Sequence, residues 1–326
     1  MIEAVSLAEF ARLTTDPERV EALSVAADNA CGAVLVDCRR ATSRQIDRMK
    51  LPHCVIIGVN LSADAPAPEC IDVIAEDESA CTHLLARIAA HPVAAATLAD
   101  LLRQEAWREV DTGLTLESLA YSALQHGQEF ERWLSTRKPR RARTSLDPVL
   151  TERNDAHLLI TLNQPERRNA FSAAMRDRLC ESLGLALMDP TIRRIWLRGA
   201  GPAFCAGGDL DEFGSQRDAA IAHAGRVSRS AGRLLHRLSA RMTCVIHGAC
   251  IGAGIELAAF SGRIEAHRDA FVELPEVGFG LIPGAGGTVS IPRRIGRLRT
   301  ARLALGGERI GAAQALHWGL VDNIVK

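Results

Sequence analysis

The chain has 326 residues, of which 47% are hydrophobic and 24% charged, and its formal net charge at pH 7 is zero. This balance is typical of a folded globular protein and gives no overall attraction to nucleic acid or to an anionic membrane. No apolar run is long enough to span a bilayer, and the start, MIEAVSLAEFARL, lacks the pattern of a signal peptide. The nine cysteines include no C-x-x-C pair, which favours reduced thiols in a cytoplasmic protein over disulfides or a zinc site.

Residues 1–78 are predicted to form a small α/β extension. The apolar runs at 33–38 (AVLVDC), 54–60 (CVIIGVN) and 71–75 (IDVIA) predict strands. The polar stretch at 42–49 (TSRQIDRM) between the first two runs predicts a helix. Because this part of the chain contains no catalytic constellation, the sequence predicts a fold for it but no chemistry.

Residues 79–136 are predicted to be a helical region that packs on a following core. Apolar residues recur here at helical spacing, and such stripes usually face a core. The predicted stripes are Leu84, Leu85 and Ile88; Leu98, Leu101 and Leu102; and Leu116, Leu119, Ala120, Ala123 and Leu124. The segment closes with Phe130, Trp133 and Leu134, large side chains that could cover an apolar edge of the core.

Residues 137–148 are predicted to be a basic linker that leads into a core at 149–326. The run RKPRRAR at 137–143 could bind phosphate or nucleic acid, but no aromatic residues interleave with it, which favours a solvated linker. The core opens with a strand-like run at 157–163, and Ser172 is placed to cap a helix that ends before Pro190. Strands and helices then alternate, which indicates an α/β fold.

Two glycine-rich segments follow short apolar strands in this core. The first runs from Cys244 through Gly248, Gly252 and Gly254 into an apolar helix, and the second is GAGPAFCAGGDLDEF at 199–213, read as a glycine turn with an acidic helix start. Glycines there allow tight turns, and helix starts offer free N–H groups to a developing negative charge.

Two glutamates also lie in apolar, glycine-bounded surroundings, Glu256 in IELAAF and Glu276 in LPEVGFG. A carboxylate in such a segment is costly unless it has a partner or a task. Each glutamate alone would more often point to solvent. The two together with the two glycine corners favour a site.

Four motifs in order resemble the crotonase, or enoyl-CoA hydratase/isomerase, superfamily. They are NQPERRNAF (163–171), FCAGGDLDEF (204–213), GACIGAGIELA (248–258) and LPEVGFGLIPGAGGT (274–288). The resemblance implies a spiral of ββα turns that assembles as homotrimers or hexamers. It also implies a helical region after the core that completes the acyl-CoA pocket. Segments 84–103 and 113–134 resemble that region, so we expect a permuted arrangement.

The resemblance further implies an enoyl-CoA hydratase, a lyase that adds water across the 2,3-double bond of an acyl-CoA. Glu256 and Glu276 match the family's catalytic glutamates, and the N–H groups of Ala206 and Ala253 match its oxyanion hole. The remaining matched positions are expected to line the CoA path: Arg167, Arg168, Ala170, Gly207, Gly208, Asp209 and Gly252. Coenzyme A enters as part of the substrate, and no metal or further cofactor is implied.

Three alternatives remain open at this point. An enoyl-CoA isomerase, or an enzyme of another crotonase-type acyl-CoA reaction, would use the same oxyanion groups, and a non-catalytic acyl-CoA-binding or scaffold protein would explain the unusual first half. Cys205 could be a nucleophile, although no histidine accompanies it in its motif. Asp209 is interpreted as a helix-start carboxylate that supports the oxyanion corner, without a direct chemical role.

Overall fold

The structure is a computed structural model that describes residues 4–27, 32–39, 51–61, 66–138 and 147–326. The helix predicted at 42–49 and residues 139–146 of the predicted linker lie outside the described residues. Within them no single helix is long and apolar enough to cross a membrane. Two neighbouring helices at 78–90 and 92–103 pass that test only together, and they are bent by 109°.

The described residues form an alternation of strands and helices. The strands are β1 (Val5–Ser6), β2 (Ala33–Asp37), β3 (Val55–Val59), β4 (Val73–Ile74), β5 (Val149–Asn154), β6 (His157–Leu162), β7 (Arg194–Gly199), β8 (Ala203–Cys205), β9 (Met242–Ile246), β10 (Ala249–Ile251), β11 (Arg263–His267), β12 (Phe271–Glu273), β13 (Ile310–Gly311) and β14 (Asn323–Val325). The helices are α1 (Leu7–Leu13), α2 (Pro17–Leu23), α3 (Glu78–Ala90), α4 (Pro92–Arg103), α5 (Val110–Leu124), α6 (Gln128–Ser135), α7 (Ala173–Met188), α8 (Ala219–Ser228), α9 (Ala231–Leu238), α10 (Ala253–Ala258), α11 (Gly287–Ser290), α12 (Pro292–Gly306) and α13 (Ala312–Trp318).

The first sheet is parallel, in the order β1-β2-β3-β4. Its central strands are apolar on both faces, as buried parallel strands usually are. Leu35 and Ile57 face the main core of the protein, whereas Val36 and Ile56 pack with Phe10 of α1 in a smaller second core. The three strands predicted in this region are therefore confirmed.

Two further sheets form the core of the second half. One has the order β14-β11-β9-β7-β6-β5 and the other β13-β12-β10-β8. From β7 to β12 successive strands alternate between the two sheets, so that β7 and β8, then β9 and β10, then β11 and β12 make repeated turns of a spiral. Helix α7 begins as predicted: Ser172 Oγ accepts a hydrogen bond from the N–H of Met175.

The outer face of the six-stranded sheet is polar because its side chains alternate with the buried ones. Leu158, Ile195 and Cys244 point into the core, while their neighbours His157 and Trp196 point outward. A hollow of about 810 Å³ lies on this outer face.

Helices α3 to α6 pack against the second half of the chain. Helix α12 contacts α3, α4 and β4, and α5 contacts both α8 and α11. At the end of this segment Trp133 packs on Phe279, with ring centroids 4.7 Å apart, and on Phe213 at 6.1 Å. Phe130 beside it is buried. The aromatic end of the helical segment therefore lies on two loops of the core.

Helix α5 is turned differently from its predicted orientation. The expected core stripe is partly outside, since Leu119 is 48% exposed and Ala123 is also exposed. The side of α5 that faces the core is partly polar and carries Val110, Gly113, Leu114, Glu117, Ser118, Tyr121, Ser122 and Leu124. A buried polar face needs hydrogen-bond partners. The loop at 284–288 and helix α8 provide the hydrogen-bond partners of this face.

The acidic segment after β8 is also different from the prediction. No helix begins at Asp209; residues 210–214 form a turn, and the next helix, α8, starts only at Ala219. The carboxylate of Asp209 accepts a hydrogen bond from Arg167 at 2.6 Å and from the N–H of Asp211 at 3.1 Å. This ion pair fixes a turn, and no helix end is available for Asp209 to cap.

Candidate active site

A cavity of about 450 Å³ opens between the two halves of the chain. Helix α5 forms one wall and α8 another, while the turn after β8, the start of α10 and the loop at 284–286 form the rest. Three buried glutamates line it: Glu117, Glu256 and Glu276. Among the described residues no cluster of His, Cys, Asp and Glu could hold a metal ion.

Glu256 lies in the first turn of α10, directly after the turn at Gly252. That glycine has a φ of +48°, a conformation that side chains other than glycine rarely adopt. Glu256 is 2% exposed, and its Oε2 accepts hydrogen bonds from the N–H groups of Ala285 at 2.7 Å and Gly287 at 2.9 Å. The turn therefore directs this carboxylate onto the loop that follows Pro283.

Glu276 begins a short 3-10 turn, Glu276–Phe279, and its carboxylate lies against the α-carbon of Gly252. Its Oε2 is buried and has no hydrogen-bond partner among the described residues. A buried polar atom without a partner is costly and is often explained by a bound water or ligand. The two predicted glutamates thus lie on one cavity, and Glu276 has one carboxyl oxygen without a hydrogen-bond partner among the described residues.

Glu117 of α5 is a third buried glutamate, which sequence reasoning missed. Its carboxylate accepts hydrogen bonds from the N–H groups of Gly286 at 2.7 Å and Thr288 at 2.9 Å, and from Thr288 Oγ1 at 2.7 Å. Alternate N–H groups of one loop therefore point to Glu256 and to Glu117. The only sequence signal was a glutamate amid the small and apolar residues of LTLESLAYSAL.

Burial raises the pKa of all three carboxyl groups. Loss of hydration raises the pKa of Glu276 to about 8 and that of Glu117 to about 7. The pKa of Glu256 is raised well above its ordinary value, first by burial and then by the neighbouring charges of Glu276 and Glu117. Three acids with raised pKa values on one cavity are typical of a site for proton transfer.

One of the two backbone N–H donors at the cavity differs from the prediction. The N–H of Ala206 donates to the carbonyl oxygen of Arg168 at 2.9 Å, so it is already used in the fold and the prediction of Ala206 is wrong. The N–H of Gly208, two residues on, makes no hydrogen bond within the described residues, and neither does that of Ala253. Gly208 and Ala253 both line the cavity.

The other residues predicted for CoA mostly build the turn itself. Arg167 joins Asp209 and Asp211, the N–H of Ala170 donates to the carbonyl of Arg167, and Gly207 accepts from the N–H of Phe171. Only Gly208 and Asp209 of the predicted set line the cavity directly. The residues that do not line it are Arg167, Arg168, Ala170, Gly207 and Gly252.

Cys205 is a packing residue. Its side chain is fully buried, its thiol points toward the carbonyl oxygen of Gly207 at 3.7 Å, and burial raises its pKa to about 12. A thiol with a raised pKa is a poor nucleophile at neutral pH. The structure therefore favours the packing interpretation of Cys205.

A sequence model of the enoyl-CoA hydratase/isomerase family matches residues 152–326, more than half of the chain. The chain belongs to the enoyl-CoA hydratase/isomerase family. Solved structures agree: an enoyl-CoA hydratase from Thermoplasma volcanium superposes with a TM-score of 0.50 at 32% identity, over 55% of this chain and 71% of that one. The predicted superfamily and its crotonase-like α/β core are confirmed.

Two characterised relatives show the range of reactions in this family. The 1,2-epoxyphenylacetyl-CoA isomerase of Escherichia coli is 36% identical over 182 residues, which are 54% of this chain and 69% of that protein. The 2,3-dehydroadipyl-CoA hydratase of the same organism is 33% identical over 179 residues, 55% of this chain and 69% of that protein. The family therefore includes both isomerases and hydratases at similar distance.

The family match covers only one side of the cavity. Glu256, Glu276 and Gly208 lie inside the matched segment, whereas Glu117 and Tyr121 of α5 lie outside it. In this member of the enoyl-CoA hydratase/isomerase family, the opposite wall therefore comes from a part of the chain that precedes the family core.

Proposed function

We propose that the protein is an enoyl-CoA hydratase that adds water across the 2,3-double bond of an acyl-CoA thioester. Family membership indicates an enzyme that acts on CoA thioesters. The observation that supports hydration is the pair Glu256 and Glu276: both are buried at one cavity, and one carboxyl oxygen of Glu276 lacks a partner among the described residues. Hydration needs one group to deprotonate water and another to protonate carbon.

The thioester oxygen would be held by the N–H groups of Gly208 and Ala253. Both groups line the cavity and are free of other hydrogen bonds within the described residues. As water attacks, the thioester becomes an enolate, and the two donors stabilise the charge on its oxygen. In other enzymes the loss of one such donor costs about 2.7–4 kcal/mol of transition-state stabilisation.

Hydrogen bonding suggests how the two glutamates divide the work. Burial and the neighbouring carboxyl groups raise the pKa of Glu256, and the two N–H groups that it accepts offset part of this rise, which suits a base that takes a proton from water. Glu276 lacks such donors at Oε2, so it is better placed to carry the proton that the α-carbon receives. Because the two acids are close enough to interact, they titrate as a coupled pair.

The CoA moiety is proposed to run along the turn after β8. Asp209 and Gly208 line the cavity there, and Arg167 holds the turn through its ion pairs. Arg168 and Ala170 lie on the segment that this turn contacts, beside Phe171. These residues would shape the path through the backbone, and no cofactor besides the substrate's own coenzyme A is proposed.

An isomerase is the second candidate, and one observation favours it. The 1,2-epoxyphenylacetyl-CoA isomerase is as similar to this chain as the hydratase relative is, so cores of this similarity also serve isomerisations of CoA thioesters. Double-bond migration would use the same two N–H donors, with a single glutamate moving a proton between carbons. A non-catalytic acyl-CoA-binding protein is a weaker candidate, because it gains nothing from a buried Glu276 oxygen that has no partner among the described residues.

The test is to supply 2-enoyl-CoA and 3-enoyl-CoA thioesters of several chain types in separate assays. Hydration is read by mass spectrometry as incorporation of oxygen from labelled water into a 3-hydroxyacyl-CoA. Isomerisation is read as conversion of the 3-enoyl to the 2-enoyl thioester. Incorporation of label supports the hydratase. Interconversion without label shows an isomerase, and binding with neither reaction shows a binding protein.

Assembly and location are also proposed rather than observed. Exposed apolar side chains on α7, Leu185 at 52% and Met188 at 85%, suit contacts between subunits. We propose a homotrimer or a dimer of trimers in the cytoplasm, where the described cysteines would remain reduced thiols. Light scattering of the purified protein would give the mass of the assembly.

A further inference from the structure

Arg226 of α8 lies in the wall of the cavity, opposite the polar face of α5. Its Nε donates to Ser118 Oγ at 3.2 Å, its Nη1 lies 3.4 Å from Gln125 Oε1, and its Nη2 contacts Ser122 Oγ. Its guanidinium stacks over the ring of Tyr121, 4.9 Å from the centroid. Three side chains of α5 and that of Gln125, the residue after it, thus hold a cation in place at the cavity.

The other arginines of the cavity wall each have a carboxylate partner. Arg176 and Arg229 pair with Asp177, and Arg233 pairs with Asp111. Arg226 forms no ion pair within the described residues, and its hydrogen-bond partners are hydroxyl groups and an amide. Three acceptors leave N–H groups of the guanidinium free, since it has five in all.

The nearest candidates for a counter-charge within the protein are already in use. Glu117 feels the charge of Arg226, but its carboxylate is taken up by the N–H groups of Gly286 and Thr288 and by the Thr288 hydroxyl. Burial also lowers the pKa of Arg226, as expected for a cation that has lost water without gaining an anion. A partly desolvated guanidinium of this kind binds carboxylates and phosphates well.

Tyr121 connects this cation to the reacting groups. Its ring lies beneath Arg226 and against Gly284, which has no room for a Cβ there. Gly284 directly precedes Ala285, whose N–H donates to the Glu256 carboxylate, and Glu256 and Glu276 line the same cavity as Tyr121. No hydrogen bond of the Tyr121 hydroxyl is found within the described residues, and burial raises the pKa of this phenol. Tyr121 therefore contacts both the Arg226 guanidinium and the loop that Glu256 holds.

We propose that Arg226 binds a carboxylate at the far end of the substrate's acyl group, so that the enzyme acts on dicarboxylic enoyl-CoA thioesters. The guanidinium would bind the carboxylate through its free N–H groups, with the Tyr121 hydroxyl as a further donor. This inference rests on the proposed function for the identity of the thioester. It does not depend on which of the two reactions follows.

The phosphates of coenzyme A are the other possible anions for Arg226. They are separated from the thioester by the whole pantetheine arm, whereas Arg226 lines the same cavity as Glu256 and Glu276, which would act beside the thioester, and stacks on Tyr121 of that cavity. The position of Arg226 therefore favours an anion on the acyl side. Coenzyme A without an acyl group distinguishes the two sources experimentally.

The experiment measures binding of unreactive saturated thioesters by titration calorimetry. Glutaryl-CoA carries the terminal carboxylate, pentanoyl-CoA is its neutral counterpart of equal length, and coenzyme A is the control for the phosphates. The wild-type protein should bind glutaryl-CoA about tenfold to a hundredfold more tightly than pentanoyl-CoA, the usual effect of hydrogen bonds to a charged group. Arg226→Met should abolish that preference and leave the affinity for coenzyme A unchanged.

Arg229→Met is the matched control, because Arg229 lines the same cavity but already pairs with Asp177. It should retain the preference for glutaryl-CoA. If Arg226→Met does not fold, Arg226→Lys retains the charge and should reduce the preference without removing it. Equal wild-type affinity for the two thioesters would overturn the proposal, and so would a parallel loss of affinity for coenzyme A.

Kinetics separate this inference from the proposed function. Glutaconyl-CoA and crotonyl-CoA differ at the acyl terminus by a carboxylate, and the wild-type enzyme should show the higher kcat/KM with glutaconyl-CoA. A preference for glutaryl-CoA in binding, without hydration of either enoyl thioester, would support the subsite and contradict the hydratase. Hydration with equal kcat/KM for both thioesters, together with equal binding, would contradict the subsite alone.

Discussion

Two buried glutamates hold the loop at 284–288 from opposite sides, and they come from different halves of the chain. Glu256 of the family core accepts the N–H groups of Ala285 and Gly287, and Glu117 of α5 accepts those of Gly286 and Thr288. The first glutamate belongs to a motif shared with the family, and the second lies outside the matched segment. One loop is therefore held by a glutamate of the matched family segment and by a glutamate outside it.

The buried carboxyl groups of the two halves differ in whether all of their oxygens have hydrogen-bond partners. Glu276 retains a carboxyl oxygen without a partner among the described residues, whereas the Glu117 carboxylate is occupied by three donors at the loop. A free buried acid is suited to chemistry and a fully bonded one to support. The core thus supplies the reacting groups, and α5 fixes the loop and forms the opposite wall.

Removing the first half of the chain should have the largest effect. A chain shortened to begin at Thr144 loses α5 and α6, and with them the partners of the loop at 284–288 and of Phe279. Burying a large aromatic side chain stabilises by about 1.5–3 kcal/mol, so the loss of Tyr121, Phe130 and Trp133 together should leave the core insoluble or unable to assemble. Solubility, light scattering and turnover are the measurements. A soluble and fully active fragment would show that the first half is only an appended module.

Glu256→Gln and Glu276→Gln should each lower kcat by about 10²- to 10⁴-fold, the usual contribution of a general acid or base. Acyl-CoA binding should remain largely intact, because the N–H groups of Gly208 and Ala253 are untouched. Binding of a saturated thioester provides the control. A near-normal kcat in either variant would remove that residue from the chemistry and leave the other to act alone, as an isomerase would require.

Glu117→Ala should lower stability more than activity. It leaves the N–H groups of Gly286 and Thr288 without acceptors, and each unsatisfied buried donor costs about 1–3 kcal/mol. Glu117→Gln retains one acceptor oxygen and should recover part of the loss. Chemical denaturation gives the free energy of unfolding, and kcat is measured on the folded fraction. If Glu117→Gln abolishes turnover in a stable protein, Glu117 belongs to the reacting groups and the division between the two halves fails.

Glu117→Gln also tests how the stability of the protein depends on pH. The pKa of Glu117 rises from an ordinary value near 4.5 to about 7, and that of Glu276 to about 8. The folded protein therefore binds more protons than the unfolded chain between those values, and its stability falls as the pH rises from about 4.5 through 7 and 8. Glu117→Gln should flatten the lower part of this decline. If the slope of stability against pH is unchanged in Glu117→Gln, folding does not raise the pKa of Glu117, and this carboxyl group is already charged well below pH 7.

Much of the fold could be predicted because local pattern and tertiary structure agree. The apolar runs of β2 and β3 are buried on both faces, and Ser172 caps α7 as its position before Met175 indicated. For β2, β3 and the cap of α7 the signal lay within a few residues of the feature. Glu256 and Glu276 could be found because they occur together with two glycine corners and match the motifs of the family; either segment alone favours a glutamate that points to solvent.

The failures come from contacts that are distant in sequence. The sequence of α5 is compatible with an apolar face toward the core, but the loop at 284–288 and Arg226 provide partners for its polar face instead. Glu117 therefore lay outside the predicted core stripe of this helix. The N–H of Ala206 could be assigned only once the carbonyl of Arg168 was seen to accept it. No periodicity in one segment reports a partner more than a hundred residues away.

The smallest effect is expected at the turn after β8, where Asp209 supports the family half of the cavity. Asp209→Asn removes the charge that Arg167 contacts at 2.6 Å, but Arg167 retains Asp211 at 3.0 Å. Because one carboxylate of the pair remains, we expect a loss of about 1–2 kcal/mol, below that of a fully broken buried pair. The pH–rate profile should keep its shape, since the Asp209 carboxylate is bound to Arg167 and to the N–H of Asp211. A shifted pH optimum in Asp209→Asn would place Asp209 among the groups that exchange protons with the substrate.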